Sequence, residues 1–338
     1  MRKLDDISLK SYNTFHIDAQ ATHLTTIEEE SELKEFLNHN RKAPLLILGA
    51  GSNVLFTKER LGNVLHVNWK GMTIIEDGED SIEVRVAAGE VWHHFVLWAL
   101  ANNYGGVENL SLIPGKVGAT PIQNIGAYGV EVKDVITYVN GIFIDTGEVF
   151  CFDNATCRFG YRDSIFKNEL KGKIIITSVQ FKLSKRNHKI RCDYGAIKQQ
   201  LQKNHIAEPY TIQDVSKAVI EIRESKLPNP EIIGNAGSFF KNPEIDLESV
   251  EKLKNQYPQL VVYPIDGSRA KIPAAWLIEQ CGWKGWRHAD IGCHKDQALV
   301  LVNYGDGKGQ DIFQLAQNIQ KSVQERFNIH LEMEVNII

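Results

Sequence analysis

Three glycine-bearing loops and two charged segments hold the residue types that can do chemistry. The first loop, Gly49-Ala50-Gly51-Ser52-Asn53, follows the apolar run LLIL. Glycine lets a backbone turn tightly and approach a phosphate, to which free N–H groups, Ser52 and Asn53 could donate. The loop opens like G-x-G-x-x-G, but Val54 stands where the third glycine would fall and no helix pattern follows directly. Taken alone it reads as a strand-to-loop turn, with a different kind of dinucleotide cradle as the alternative. The second loop, LSLIPGKVGATPIQNIGAYGV (110–130), mixes Gly115, Gly118, Gly126 and Gly129 with two prolines and apolar Ile113, Val117, Ile122 and Ile125. That is long for an irregular segment inside a compact domain. It fits a backbone wrapped around a large, partly apolar ligand, and equally a buried structural loop. The third, GNAGSFFKNP (234–243), delivers Ser238 beside two aromatics and Lys241. It lacks the G-x-S-x-G of a hydrolase elbow, and Ser238 could simply cap a helix.

Of the charged segments, CRFGYRDSIF (157–166) embeds Arg162 among aromatics, where its planar fork could hold a carboxylate at two points. A surface ion pair with Asp163 is the rival reading. KLSKRNHKIRCDYGAIK (182–198) is locally basic and carries Tyr194. It could meet a diphosphate, although such runs are usually solvated faces.

Hydrophobic periodicity supplies the elements that must position these groups. Residues 26–40 read as an amphipathic helix through Ile27, Leu33, Phe36 and Leu37, followed by short strands at 45–48 and 64–67. From Gly71 the pattern turns two-periodic, with strands at 82–88, 136–144 and 174–183 and one helix at about 91–102. Further helices are expected at 213–224, 274–280 and 310–327, the last with the apolar stripe Ile312, Leu315, Ala316, Ile319, Val323 and Phe327. The C-terminal IHLEMEVNII alternates as a strand, with Leu331, Met333, Val335 and Ile337 on one face. This mixture is α+β rather than a regular βαβ series.

Composition bounds the function. A chain of 338 residues asks for more than one domain, and 38 basic against 42 acidic side chains leave a net charge of −4. That balance argues against nucleic-acid or anionic-membrane partners. Five cysteines without C-x-x-C spacing argue against a zinc site or a disulfide framework. The N-terminus shows no apolar signal core and no apolar run approaches the ~20 residues that span a bilayer, so a cytoplasmic location is expected.

Together these motifs resemble the UDP-N-acetylenolpyruvoylglucosamine reductases of bacterial peptidoglycan synthesis. The resemblance runs from NTFHID (13–18) through LGAGSNVL, ENLSLIPGKVGATPIQNIGAYG, CRFGYRDSIF, KLPNP, GNAGSFFKNP and DQALVL to LEMEV. It implies a two-part FAD-binding module of the vanillyl-alcohol-oxidase (PCMH) type, residues 1–69 and 70–210. A smaller α+β substrate-binding domain, 211–328, and a returning C-terminal strand, 329–338, would complete the chain. It implies non-covalent FAD, with NADPH as co-substrate, held by Gly49, Gly51, Ser52, Asn53, Thr120, Gln123, Asn124, Gly126 and Arg223. Ala119-Thr120 stands where relatives often carry small hydroxyl residues; Thr120 can still donate. By the same resemblance Ser238 is the general acid, and Arg162 and Glu334 bind and polarise the substrate carboxylate. Tyr161, Tyr194, Lys226, Asn242 and Gln297 would hold the UDP-sugar, and Tyr194 suggests the subclass with a tyrosine-bearing substrate loop. The implied reaction reduces the enolpyruvyl ether to a lactyl ether in a monomer, with no metal. Because no second nucleotide motif is visible, NADPH and the UDP-sugar are expected to use one cleft in turn, with ping-pong kinetics. An oxidase of the same fold using O₂ and a non-catalytic nucleotide-sugar-binding module are the rival readings.

Overall fold

The computed structural model describes residues 1–40, 44–193 and 195–338. Its contacts divide the chain into two units. The first comprises Met1–Ile7, Ala21–Ala50 and Arg60–Ser225; the second comprises Ser8–Gln20, Gly51–Glu59 and Lys226–Ile338. The division therefore runs through the first glycine loop, between Ala50 and Gly51.

The first unit carries two larger sheets besides a short two-stranded hairpin. One has the strand order Arg2–Ser8, Gln20–Ile27, Arg60–Val67, Leu45–Leu48, its last two strands parallel with Leu45 opposite Asn63. The other is antiparallel and five-stranded, ordered Val149–Asp153, Ile136–Phe143, Ile174–Ser184, Ser81–Ala87, Met72–Asp77. Alternation along Ser81–Ala87 buries Ile82, Val84 and Val86, as period-two patterning requires. Helix α1 (Glu30–Asn40) buries Leu33, Phe36 and Leu37. It starts later than the expected residue 26, because Ile27 closes the strand Gln20–Ile27. The β-branched run Thr25-Thr26-Ile27 favours extended backbone, and acidic Glu30 and Glu32 suit the helix's first turn.

Helix α2 (Trp92–Ala101) buries Trp92, Phe95 and Leu100. Its Phe95 ring centroid lies 4.8 Å from that of Phe181 on the long central strand. Helices α3 (Gly195–Lys203) and α4 (Ile212–Lys226) share a small core of Ile197, Leu201, Val215, Val219 and Ile222. That packing keeps nearly all of α4 in the first unit, whereas the sequence grouped it with the third domain.

The second unit is built on an antiparallel sheet ordered Gly234–Ser238, Val300–Asn303, Ile291–Cys293, Arg287–His288. A three-stranded sheet (Glu244–Asp246, Arg269–Lys271, Tyr263–Pro264) and helices α5 (Leu247–Gln256), α6 (Ala274–Gln280) and α7 (Gly309–Phe327) complete it. All six apolar stripe residues expected for the last helix are buried on α7, and Asn328 ends it in the left-handed region at φ 54°. The expected C-terminal strand is interrupted. Only Asn336–Ile337 pairs as a strand, parallel to Val54–Leu55, and Met333 makes an isolated bridge to Phe240. Its burial follows the expected faces only in part: Leu331 and Val335 are buried and Glu332 is exposed, but Met333, Glu334, Asn336 and Ile337 are all half-buried.

Candidate active site

The second loop is folded by its own polar side chains. It contains the short 3-10 turn Val117–Ala119 and the hairpin Gly126–Ala127/Val130–Glu131. Val117 N donates to Glu90 O at 2.8 Å and Gly118 N to Ala88 O at 2.9 Å. Gly118 cannot be replaced without movement, because a Cβ there would lie 2.6 Å from Ala88 Cβ. Thr120 is buried and its hydroxyl donates to Val117 O at 2.8 Å. Asn124 is fully buried: its Nδ2 donates to Gly160 O at 2.8 Å and to Glu131 Oε2 at 3.1 Å, and its Oδ1 accepts from Lys133 N at 3.1 Å. Asn109, just upstream, donates to Tyr128 O and Arg191 O at 3.2 and 2.9 Å. The reading as a buried structural loop is thus correct for these side chains, which leaves main chain and apolar surface to meet a ligand.

The same bonds bring the Arg162 segment to this loop. Ser164 Oγ donates to Ile122 O at 2.6 Å, and Arg162 Nη2 donates to Gly126 O at 2.7 Å. Arg162 sits in the left-handed region at φ 52°, and its guanidinium lies 5.8 Å from the Tyr161 ring centroid. Strain at a bulky residue of this kind needs local support. Lys167 supplies some by donating to Arg162 O at 3.1 Å.

Arg223, on α4, is half-buried, and its Nε finds no partner among the described residues. Burial pulls its guanidinium below the ordinary arginine range; Tyr128 opposes that and the positive charge of Arg162 adds to it. Arginine stays charged under such shifts, so two guanidiniums that feel one another stand in this unit. Gly49, Gln123, Gly126 and Tyr161 also belong to it, the last three half-buried.

The second unit groups the other candidates. Ser238 ends the strand Gly234–Ser238, opposite Val300, and is exposed. Gly237 precedes it at φ 70°, a conformation glycine adopts without cost. Residues 239–241 run antiparallel to 332–334. Glu334 N donates to Phe239 O at 2.8 Å, and Lys241 N to Glu332 O at 2.9 Å. That pairing sets Glu334 opposite Phe239, the residue after Ser238, although Glu334 and Ser238 are 96 positions apart in the chain. Asn53 fastens the same segment, donating from Nδ2 to Glu334 O at 3.2 Å and accepting Asn336 N at 3.1 Å. Gly51 is forced by its surroundings: at φ +62° a Cβ would lie 2.0 Å from Tyr12 O. Ser52 is half-buried beside it.

Of the residues expected to hold a UDP-sugar, Lys226 is exposed at the end of α4 and Gln297 is half-buried, its carbonyl accepting Val300 N at 3.0 Å. Asn242 supports the fold directly, since its Oδ1 accepts Ala274 N at 2.9 Å and so caps α6. Lys241, a candidate local cation, is paired with Glu332 at 2.5 Å. Tyr194 lies outside the described residues.

Sequence reasoning passed over Lys116, although IPGKVGAT was in view. It is buried, and its Nζ donates to His66 Nε2, Val67 O and Asn68 Oδ1 at 2.9, 2.9 and 3.0 Å. A cleft of about 520 Å³ also opens in the first unit, lined by Trp69, Arg85, Asn140 and Ser178 among others. None of the candidate residues lines it.

Comparison with known proteins decides the family. Residues 228–338 match the C-terminal domain of UDP-N-acetylenolpyruvoylglucosamine reductase, and residues 21–152 match the FAD binding domain family. A curated relative of that reductase name from Flavobacterium johnsoniae is 52% identical over 333 residues, 98% of either chain. One from Chromobacterium violaceum is 48% identical, again over 98% of both. The chain belongs to the UDP-N-acetylenolpyruvoylglucosamine reductase family. It is an FAD-binding oxidoreductase of peptidoglycan precursor synthesis, as the motifs implied. The crystal structure of the reductase from Thermus caldophilus shares the fold, with TM-score 0.67 and 23% identity, covering 99% of this chain and 98% of that one. The α+β expectation with an FAD module of the vanillyl-alcohol-oxidase type is correct. Residues of the first unit fit that cofactor: an unpartnered Arg223 Nε and a buried Lys116 with neutral partners suit an anionic dinucleotide. Small-molecule substrates follow from the family, and among the described residues no helix is long and apolar enough to cross a membrane.

Proposed function

We propose that this enzyme reduces the enolpyruvyl ether of UDP-N-acetyl-enolpyruvyl-glucosamine to UDP-N-acetylmuramate, with NADPH as the electron source. The main-chain pairing of residues 239–241 with 332–334, which brings the Ser238 and Glu334 segments together in a chain of this family, supports the reading. When bound, FAD would supply hydride chemistry to the enolpyruvyl ether, with NADPH as its source.

The chain's own residues then manage charge and one proton. Negative charge gathers on the neighbouring carbon and its carboxylate, and fixed positive charge aimed there lowers the barrier. Arg162 meets the carboxylate with a two-point fork. Glu334 helps by sharing a proton with the developing dianion, since a second bare anion would repel it. Ser238 Oγ–H gives its proton to the enolate carbon. A hydroxyl is a weak acid in water, but its partner here is strongly basic, and bound substrate would cover the exposed Ser238.

Backbone groups of Gly49, Gly51, Gly126 and the 123–126 stretch, with Ser52, Asn53, Thr120 and Arg223, hold FAD in this reading. Residues 1–69 and 70–210 form its two-part module, 211–328 binds substrate, and 329–338 returns Glu334 to the site. Tyr161, Lys226, Asn242, Gln297 and a closing loop bearing Tyr194 hold the UDP-sugar. The enzyme works as a cytoplasmic monomer, and NADPH and sugar use one cleft in turn, giving ping-pong kinetics.

An anaerobic absorbance trace tests this. The yellow protein should bleach with NADPH, regain colour with the enolpyruvyl sugar, and regain it far more slowly in air when the sugar is absent. Recovery in air as fast as with the sugar would identify an oxidase instead. A colourless protein that NADPH leaves unchanged would identify a binding module.

A further inference from the structure

Lys116 stands out among the buried groups that the reaction does not use. Its aliphatic stem packs against the first glycine turn: a Cβ on Gly49 would lie 3.8 Å from Lys116 Cβ and Cδ. Its ammonium lies at the end of the strand Arg60–Val67, with all three protons donated. The acceptors are an imidazole nitrogen, a peptide carbonyl and an amide oxygen, all neutral. Because an ammonium only donates, His66 Nε2 must accept, so the His66 ring is neutral with its proton on Nδ1. The Gly49 backbone in turn bonds the same ring. Lysine, imidazole and glycine turn therefore form one connected unit.

Burying a cation among neutral groups is costly unless an anion compensates it. Burial, followed by the charge of Lys70, pulls Lys116 down to about 8. The same burial and the Lys116 charge pull His66 down to about 4, which agrees with the proton residing on the lysine at neutral pH. The other charges facing this cluster are Lys70, which donates to Gly89 O, and Glu90, 3.9 Å from Lys70.

We propose that Lys116 is a positioning residue for the diphosphate of FAD: from beneath the Gly49 turn it supplies positive charge and, through His66, fixes the turn whose N–H groups meet the phosphates. It touches no reacting atom. The proposal rests on reading the first loop as part of the FAD cradle, and Lys116, His66 and Gly49 all fall within the segment that matches the FAD binding domain family.

Diluting the holoenzyme and following released flavin by fluorescence gives the FAD dissociation constant. For the wild type it should rise from pH 7 to 9, by at most tenfold per pH unit, as the proton linked to binding is lost. Lys116→Met should weaken FAD binding at pH 7 by roughly tenfold, as expected for losing one nearby charge, and should flatten the pH profile. Lys116→Arg keeps the charge, so it should bind more tightly than Lys116→Met at pH 7 and also lose the alkaline rise. A purely structural lysine would leave the wild-type slope in both variants. Wild-type affinity in Lys116→Met, or an alkaline rise that survives in it, overturns the proposal. Should the variants fail to fold, a wild-type profile flat to pH 9 overturns it alone. A purified wild type without flavin would instead defeat the reading of the loop.

Discussion

In and beside the 110–130 loop, the side chains of Asn109, Thr120 and Asn124 all bond backbone atoms of the first unit, Asn124 bonding the Glu131 carboxylate as well. In the 234–243 loop of the second unit, Ser238 ends in solvent while the main chain around it pairs with residues 299 and 332–334. Both loops are rich in glycine and small polar residues, and in both asparagines fix backbone (Asn235 and Asn242 in the second), but the second leaves Ser238 outside that role. In the first the polar side chains fix a backbone and leave peptide and apolar surface unclaimed by them. In the second, regular pairing fixes the backbone and leaves a hydroxyl available for chemistry. A polar side chain in a glycine loop is therefore assigned by where its hydrogen bonds go, not by its type.

Substitutions can break this contrast. Ser238→Ala should lower steady-state turnover the most, by ~10²–10⁴-fold, the usual worth of a general acid, with no change in thermal midpoint. Arg162→Lys keeps charge but loses the fork, and should cost about 10- to 100-fold in kcat/KM for the sugar, the range of a charged hydrogen bond. Asn124→Ala should act the other way round. It leaves Gly160 O and Lys133 N unpaired and should lower stability by about 1–3 kcal/mol in denaturant titration. Any loss of FAD should follow from that loosening. Asn242→Ala removes the cap from α6 and should cost about 1 kcal/mol. If Asn242 served only to bind UDP-sugar, its variant would raise KM and leave stability untouched.

Strong periodicity made α2, α4, α6 and α7 legible, α7 beginning within one residue of its expected start, whereas α3 and α5 were not expected. The start of α1 was misplaced because Ile27 satisfies a helical stripe and a strand alternation equally well. Hydrophobic spacing cannot choose between them where β-branched residues precede it. The C-terminal alternation matches burial only at Leu331, Glu332 and Val335, and the pairing is not continuous, because partners for a strand come from distant residues. The candidate site was legible only through family motifs. Alternation in LEMEV puts Glu332 and Glu334 on one side; the structure pairs Glu332 with Lys241. Lys116 escaped because a lone lysine in a glycine loop looks solvated. Its burial depends on His66 and Asn68, some 50 residues upstream, and no local pattern records that.

The central claim is that the second unit contributes the proton through Ser238. Anaerobic stopped-flow absorbance on Ser238→Ala separates the two half-reactions. The account predicts flavin bleaching by NADPH at the wild-type rate and reoxidation by the enolpyruvyl sugar slowed by ~10²–10⁴-fold. Equal damage to both half-reactions, or reoxidation at the wild-type rate, would contradict it.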